Sequence, residues 1–173
     1  VEFEQRMGYH VDYYPVSSLV EYLKKVTDAE ADALVEEYKQ LYEIKIDESG
    51  EEVYWEKVKN AAKAEIALRR VLADEGATAF TTNFDDLGCA DIDDPNFVGF
   101  DQIPGLASQR LMAEGYGFGG EGDWKSAALL RSVWFMTQGM PMGCSFLEDY
   151  TLNFNGKNSS ILQAHMLEIS PMI

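Results

Sequence analysis

Residues 115–125 read Gly115-Tyr-Gly-Phe-Gly-Gly-Glu-Gly-Asp-Trp-Lys125, a glycine-rich run that leads directly into an apolar helical pattern. Glycine lets the backbone approach a ligand closely, because it carries no side chain. Asp123 is a good N-cap for the helix predicted over residues 124–138. We therefore predict a ligand-binding loop with the carboxylate of Glu121 at its mouth.

Gly115, Gly117 and Gly120 also fit the letters of the dinucleotide-binding fingerprint, G-x-G-x-x-G. That fingerprint requires a strand immediately before it and an acidic residue about 20 positions after it. Here a helical pattern over residues 106–114 precedes the glycines, and Gln138 with its neighbours stands where the acid is needed. The context argues against a nicotinamide or flavin enzyme.

Two downstream segments, residues 145–154 and 160–169, alternate like strands on either side of the turn sequence Asn155-Gly-Lys-Asn158. This pattern predicts an antiparallel hairpin. Strand alternation places Glu148 on one face with Phe146 and other aromatic residues, where a carboxylate is costly to bury unless it is paired, hydrogen-bonded or metal-bound. A satisfied buried glutamate or an exposed strand face is the alternative.

Glu121, Glu148 and His165 would supply two carboxylates and one imidazole from three separate elements, and we interpret them as a divalent-metal site. With room for water or substrate oxygens, this donor set suits Mn²⁺, Mg²⁺ or Co²⁺ better than structural zinc. Such a site can polarise a carbonyl and a neighbouring hydroxyl, as needed to move a hydrogen between adjacent carbons of a sugar. A lone histidine is more often structural than a ligand, so a structural His165 stays open.

The rest of the chain reads as helices with few strands. In chain order we predict an extended lead-in over 1–14, a helix over 19–26, a helix over 27–42, a brief strand over 44–47, a helix over 51–73, a strand over 77–82 and a helix over 106–114. Thr27 and Glu30 form a capping-box sequence at the start of the second helix. Gly76 is placed to end the third as a left-handed cap.

The strand over 77–82 is short, rich in β-branched and aromatic residues, and follows a helix, which is typical of a parallel sheet. We expect an α/β fold, with a Rossmann-like or flavodoxin-like three-layer domain and parallel sheet over residues 1–140. The start of a β-rich domain would follow over 141–173. Phe84 lies just beyond the strand, where ligands bind in such sheets, although it could instead fill the core.

Of the 173 residues, 46% are hydrophobic, which is enough for a core, and the formal net charge is −16. That charge argues against nucleic acid or anionic membrane as a partner. No apolar run approaches the roughly 18 residues of a membrane span and no signal pattern opens the chain, so we expect a cytoplasmic location. Cys89 and Cys144 share no metal-type spacing and are expected to be reduced thiols. Val1 is not an initiator Met, and we expect a fragment of a longer protein.

Five phrases resemble the middle region of the L-arabinose isomerase family. They are Ala79-Phe-Thr-Thr-Asn-Phe-Asp-Asp-Leu87, Leu106-Ala-Ser-Gln-Arg-Leu-Met112, residues 115–125, Phe146-Leu-Glu-Asp-Tyr-Thr151 and His165-Met-Leu-Glu168. Glu148 and His165 follow Glu121 by 27 and 44 positions, the intervals of the family. The resemblance covers nearly the whole chain.

This resemblance implies an enzyme that interconverts L-arabinose and L-ribulose, and often D-galactose and D-tagatose, with Mn²⁺ as the usual metal and Co²⁺ or Mg²⁺ as substitutes. Glu121, Glu148 and His165 correspond to three family metal ligands, and the two glutamates to an acid/base pair that acts through an ene-diol. Phe84 and Phe146 match positions that line the sugar. Family members have three domains and assemble as trimers or hexamers, and this chain would hold the middle domain and the start of the last.

Two departures from the family pattern stand out. The loop over residues 88–102 is longer, and both the fourth ligand, a downstream histidine, and the amino-terminal domain that contributes substrate contacts are absent. We therefore expect the chain alone to be inactive and to bind Mn²⁺ weakly. A fucose-type sugar isomerase of the same architecture and a non-catalytic α/β binding or scaffold domain are the alternatives.

Overall fold

The computed structural model describes residues 2–46, 50–83, 100, 104–140 and 144–165. The chain divides into two compact units, one of residues 1–77 and 83–107 and the other of residues 78–82 and 108–173. In chain order the elements are α1 (Glu2–Met7), α2 (Val16–Leu23), α3 (Asp28–Leu41), α4 (Glu51–Asp74), β1 (Ala79–Thr81), α5 (Gly105–Ala113), β2 (Gly117–Gly119), α6 (Trp124–Met136), β3 (Glu148–Phe154) and β4 (Ser159–Ala164). The described part is thus mixed α/β and mostly helical, as the mixed pattern predicts.

In the first unit, α2 and α3 both pack against α4. The predicted capping box begins α3: the Thr27 hydroxyl accepts from the Glu30 amide at 3.3 Å, and the Thr27 amide donates to the Glu30 carboxylate at 2.8 Å. Gly76 follows α4 with a φ of +64°, which confirms the left-handed cap. The capping box and the glycine cap both act within four residues of a helix end, so the sequence alone predicts them.

The face of α4 that packs against its neighbours is built mostly from alanine, which lets helices approach closely. Glu65 is fully buried on this face. Its carboxylate accepts a hydrogen bond from the Tyr38 hydroxyl at 2.7 Å and pairs with the Arg69 guanidinium at 2.8 Å. A buried charge must be compensated in this way, and the contact ties α3 to α4.

Two predictions for the first unit were wrong. The lead-in over residues 1–14 is not extended throughout, because α1 occupies Glu2–Met7 and begins with acidic residues that suit the positive end of a helix dipole. Residues 44–46 of the predicted brief strand are not in a strand. A strand needs a partner for its backbone amides and carbonyls, and no residue in the described ranges pairs with this segment.

The parallel sheet of the second unit pairs β1 with β2, with Phe80 opposite Phe118. Strand β1 confirms the predicted strand over 77–82, whereas β2 lies in a segment that the sequence predicted as a loop. Gly117 and Gly119 of β2 lie against α6. A Cβ on Gly117 would come within 2.1 Å of the Ala127 carbonyl oxygen, and a Cβ on Gly119 would come equally close to the carbonyl oxygen of Asp123, the N-cap of α6. The glycines therefore allow a helix to pack directly on the strand backbone.

Strands β3 and β4 form the predicted antiparallel hairpin, in which the Asn155 side chain accepts from the amides of Lys157 and Asn158. The pairing register shifts between Asp149 and Thr151. This irregularity follows Glu148, so Leu152 and Phe154 do not continue on the face of Glu148 as the alternation predicted, since a one-residue slip exchanges the two faces of a strand.

Helix α6 is covered on one face and exposes apolar side chains on another. Ala127, Ala128 and Leu130 are buried, whereas Leu129, Phe135 and Met136 are exposed. Among the helices that the structure describes, none combines the length and apolar character that a membrane crossing requires.

Candidate functional site

Glu121 lies at the carboxyl end of the parallel strands. Strand β2 ends at Gly119, and a single turn of 3₁₀ helix, Gly120–Gly122, follows at once. The Gly122 amide donates to the Thr82 carbonyl at 3.1 Å, and the Thr81 hydroxyl donates to the Gly119 carbonyl at 2.5 Å. These bonds hold the turn against the end of β1, the edge at which open α/β sheets bind ligands.

The backbone of Glu121 is strained. Its φ and ψ of 55° and 32° lie in the left-handed region, and it is the only non-glycine residue with positive φ among the described residues. That conformation costs roughly 1–2 kcal/mol for a residue with a Cβ. Strain of this kind gathers at functional sites, where the surrounding structure holds a side chain in a required position. The Glu121 side chain is exposed.

Asp123 anchors the next helix and so supports the same turn. Its carboxylate accepts from the Ser126 amide at 3.0 Å, which confirms the predicted N-cap of α6. The hydrogen bond from the Ser126 hydroxyl, followed by the one from the Ser126 amide, lowers the pKa of Asp123. The carboxylate therefore stays charged at the positive end of the helix.

Glu148 and His165 are brought together by the register of the hairpin. Glu148 pairs with Ala164 across the two strands, and His165 is the next residue. The Nε2 atom of His165 lies 4.0 Å from Oε2 of Glu148. The imidazole side chain is 4% exposed and the carboxylate side chain 38% exposed, so the carboxylate faces partly into solvent while the ring is buried.

Two phenylalanine rings surround the His165 imidazole. Phe146 meets it edge to face with ring centroids 5.0 Å apart, and Phe118 does so at 6.4 Å. The two phenylalanines also contact each other at 5.9 Å, and both are buried. Edge-to-face packing on two sides fixes the orientation of the imidazole ring.

Gly120 links the turn of Glu121 to this pair. A Cβ on Gly120 would lie 3.3 Å from Nε2 of His165. The residue directly before Glu121 is therefore adjacent to the histidine, and the elements that carry Glu121, Glu148 and His165 meet here. Phe146 belongs to the same group of side chains, whereas Phe84 lies outside the described residues.

The donor chemistry of these residues fits a hard or borderline divalent cation. Nitrogen and oxygen ligands lie about 2.0–2.2 Å from such an ion, so two atoms that are 4.0 Å apart can reach a single ion from nearly opposite sides. Glu148 and His165 thus fit as a pair. Within the ranges that the structure describes, no group of three or more His, Cys, Asp or Glu side chains is gathered to hold a metal ion.

Phe118 is a site residue that the sequence did not single out, and Gly120 was named only as a letter of the dinucleotide fingerprint. The signal for Phe118 was the pattern Gly117-Phe-Gly119, in which one large apolar residue alternates with glycines as in a strand with a helix packed on one face. Nothing in the sequence indicated that Gly120 lies beside His165, because the side chains that approach this glycine are distant from it along the chain.

Cys144 is a free thiol beside this group. It packs against the cluster of Met112, Phe118, Leu130 and Phe146, and burial raises its pKa. Cys89, the other predicted thiol, lies outside the described residues, as does most of the long loop over residues 88–102.

Comparison with known proteins bears directly on this arrangement. Residues 1–139 match the family model for the L-arabinose isomerase central domain, and residues 143–173 match that for the L-arabinose isomerase C-terminal domain. The L-arabinose isomerase of Bacteroides thetaiotaomicron is 65% identical over 175 residues, which cover 100% of this chain and 33% of that protein.

Other relatives agree. The L-arabinose isomerase of Phocaeicola vulgatus is 62% identical, and that of Tolumonas auensis 44% identical, each over 100% of this chain and 33% of its own length. The chain therefore spans about a third of the length of these curated relatives. Because family models match both of its parts from end to end, the chain belongs to the L-arabinose isomerase family.

Proposed function

We propose that this chain forms part of the active site of an aldose–ketose isomerase that converts L-arabinose to L-ribulose and also D-galactose to D-tagatose. The observation that carries the proposal is the Glu148–His165 pair, with Nε2 and Oε2 4.0 Å apart beside the turn of Glu121. Family membership favours L-arabinose over the fucose-type substrate. A carboxylate and an imidazole side by side next to a strained acidic turn are not what a scaffold domain requires.

Glu121, Glu148 and His165 are the residues that would hold the metal, with Mn²⁺ as the expected ion and Co²⁺ or Mg²⁺ as substitutes. A bound divalent ion supplies Lewis-acid polarisation of the sugar carbonyl and the adjacent hydroxyl. His165, buried and fixed by two aromatic rings, would serve as a rigid neutral donor. The strained backbone of Glu121 would aim its carboxylate toward the same place.

The two glutamates are proposed to move the protons. In the aldose, one carboxylate takes the proton from C2, next to the carbonyl carbon C1, and the electrons of that C–H bond form the C1–C2 double bond of an ene-diol. The former carbonyl oxygen O1 takes a proton from the second carboxyl group, which completes the ene-diol. A proton then returns to C1 while a carboxylate accepts the O2 proton, and C2 becomes the carbonyl carbon of the ketose, so no atom or electron is gained or lost. Positioned carboxylates commonly contribute about 10²–10⁴-fold to such steps.

Phe84 and Phe146 are proposed to line the sugar. The Phe146 ring is buried against His165, which would place an apolar surface beside the reacting carbons. A ring on the apolar face of a sugar excludes water from the reaction without competing for its hydroxyl groups.

The larger organisation is proposed from the family. A domain boundary near residue 140 is supported by family models that end at residue 139 and begin at residue 143. The central part would complete a Rossmann-like or flavodoxin-like three-layer domain around the parallel β1–β2 pair. A homotrimer or homohexamer and a cytoplasmic location remain expectations.

Replacement of Glu148 by Gln in a full-length isomerase chain that carries these residues tests the proposal. We expect Glu148→Gln to lower turnover of L-arabinose by at least about 10²-fold and to weaken Mn²⁺ binding, because it removes an acid/base group and a charged donor together. Turnover assays and Mn²⁺ titration measure the two effects.

Asp149→Asn is the matched control, because Asp149 is the next acidic residue on β3 and hydrogen-bonds to the exposed Gln163 amide instead. It should leave both quantities near their original values. Unchanged turnover and metal affinity in Glu148→Gln would support a scaffold role. Faster turnover of L-fucose than of L-arabinose by the unaltered chain would support the fucose-type alternative.

A further inference from the structure

Gly120 is the one glycine of the turn whose missing side chain faces the candidate metal centre. A Cβ built on its backbone would lie 3.2 Å from Cε1 of Phe146 and 3.3 Å from Nε2 of His165. Carbon atoms in good contact lie about 3.5–4.0 Å apart, so both distances are tight. The space beside these two rings exists because residue 120 has no side chain.

The backbone does not explain this glycine. Gly122, two residues on, has a φ of +84° and nothing within 4 Å of its Cβ position, so its conformation requires glycine while the space around it does not. Gly120 is not among the residues with positive φ. The requirement at position 120 is therefore one of space and not of conformation.

Helix packing does not explain it either. Gly117 and Gly119 have backbone atoms of α6 or its N-cap within 2.1 Å of their Cβ positions. The nearest atoms to Gly120 belong instead to the side chains of His165 and Phe146. Among the glycines from 117 to 122, Gly120 is thus the one whose neighbours are side chains of the site.

We propose that Gly120 is a positioning residue that keeps open the space beside Nε2 of His165, so that this nitrogen and the carboxylates of Glu121 and Glu148 can share one divalent cation. The inference rests on the proposed function. A methyl group at position 120 would stand 3.3 Å from the donor nitrogen. It would displace the ring or shield the nitrogen, and either change weakens metal binding.

A competing explanation is that Gly120 serves only to accommodate the Phe146 ring. In that case Gly120→Ala would lower stability without a specific effect on metal affinity. The two explanations separate when the double variant Gly120→Ala with Phe146→Leu is compared with Phe146→Leu alone, because both lack the crowded ring and only the double variant carries the methyl group beside Nε2.

The experiment is a Mn²⁺ titration, followed by electron paramagnetic resonance of free Mn²⁺, in a full-length isomerase chain that carries these residues. We expect Gly120→Ala to weaken Mn²⁺ binding about 10- to 100-fold, as is common for residues that orient metal ligands, and the double variant to bind Mn²⁺ more weakly than Phe146→Leu alone. Gly50→Ala, at a position with nothing within 4 Å, should bind Mn²⁺ as the unaltered chain does. Thermal unfolding of each variant reports folding separately.

Original Mn²⁺ affinity in Gly120→Ala, or equal affinity in the double variant and in Phe146→Leu alone, would overturn the role of Gly120 and leave the proposed function intact, provided that Glu148→Gln still loses affinity. Original affinity in Glu148→Gln would overturn the metal centre itself, and the role of Gly120 with it.

Discussion

Single residues in this chain show how backbone conformation serves the site. Glu121 adopts a left-handed conformation that glycine would adopt at no cost, and glycines stand on both sides of it. The presence of a carboxylate at a position whose backbone conformation disfavours any side chain indicates that the carboxylate itself is needed there. The sequence identified Glu121 as the important residue of the turn, but not its strain, since that depends on how β1 and α6 hold the turn.

Thr27 illustrates a residue whose effect is purely structural. We expect Thr27→Ala to lower the free energy of unfolding by about 1 kcal/mol, because the Glu30 amide loses its capping acceptor. Urea unfolding followed by far-ultraviolet circular dichroism measures the change. Thr27→Ser keeps a hydroxyl and should retain most of the stability; an equal loss in both variants would contradict the capping explanation.

The same cap predicts a pH dependence. The Thr27 amide, followed by the Thr27 hydroxyl, holds the pKa of Glu30 below its ordinary value. A carboxyl group whose pKa is lowered by folding stabilises the protein above the unfolded pKa of about 4.3, and that contribution disappears as pH falls through the folded value. Thr27→Ala should therefore lose less stability than the unaltered chain between pH 7 and about pH 3.

At the scale of elements, strand β2 depends on glycine for its packing. A Cβ at Gly117 would lie 2.1 Å from the Ala127 carbonyl oxygen and 2.9 Å from the Ala79 Cβ. Neither contact can be relieved by rotating a side chain, because the oxygen is a backbone atom and the Cβ is bonded directly to the backbone. Phe118, on the opposite face, contacts Phe80, Phe146 and His165. The strand thus joins a helix on one side to the site on the other.

We expect Gly117→Ala to lower the free energy of unfolding by at least about 3 kcal/mol, because α6 must move away from the sheet. Urea unfolding and near-ultraviolet circular dichroism detect the loss of packing. Gly50→Ala, with open space around its Cβ, should cost no more than about 1 kcal/mol, the scale of an altered helix cap. Similar stability of the two variants would show that α6 does not pack on β2 as described.

At the scale of the whole chain, a large apolar surface is exposed. Leu152, Phe154, Ile161 and Leu162 of the hairpin are each more than half exposed, as are Leu129, Phe135 and Met136 of α6. The chain spans about a third of the length of its curated relatives.

We therefore expect the purified 173-residue chain to show no isomerase turnover and to bind Mn²⁺ weakly. In the described part, Glu148 and His165 are together but no third ligand joins them. Calorimetric titration with Mn²⁺ and a ketose assay with L-arabinose measure the two properties. A full-length relative, such as that of Bacteroides thetaiotaomicron, is the positive control; robust turnover by the short chain would refute the prediction.

The sequence by itself determined the elements that local chemistry specifies. The Thr27 capping box, the Gly76 cap, the Asp123 N-cap and the turn at Asn155 each act within a few residues, so their patterns predict the helices and the hairpin directly. The sequence also identified the family and the candidate residues Glu121, Glu148 and His165, because motifs in a fixed order can be recognised without knowledge of the fold.

Only the tertiary structure decided what depends on residues far apart in the chain. Strand β2 looked like a loop, since its glycines are explained by α6 and its pairing by β1. The strand alternation predicted from Phe146 to Phe154 is interrupted after Asp149, at an irregularity that only the partner strand reveals. The side chains nearest to Gly120, those of Phe146 and His165, are more than 20 positions away along the chain. Local patterns record the conformation of a segment, whereas contacts between distant segments arise only when the chain folds.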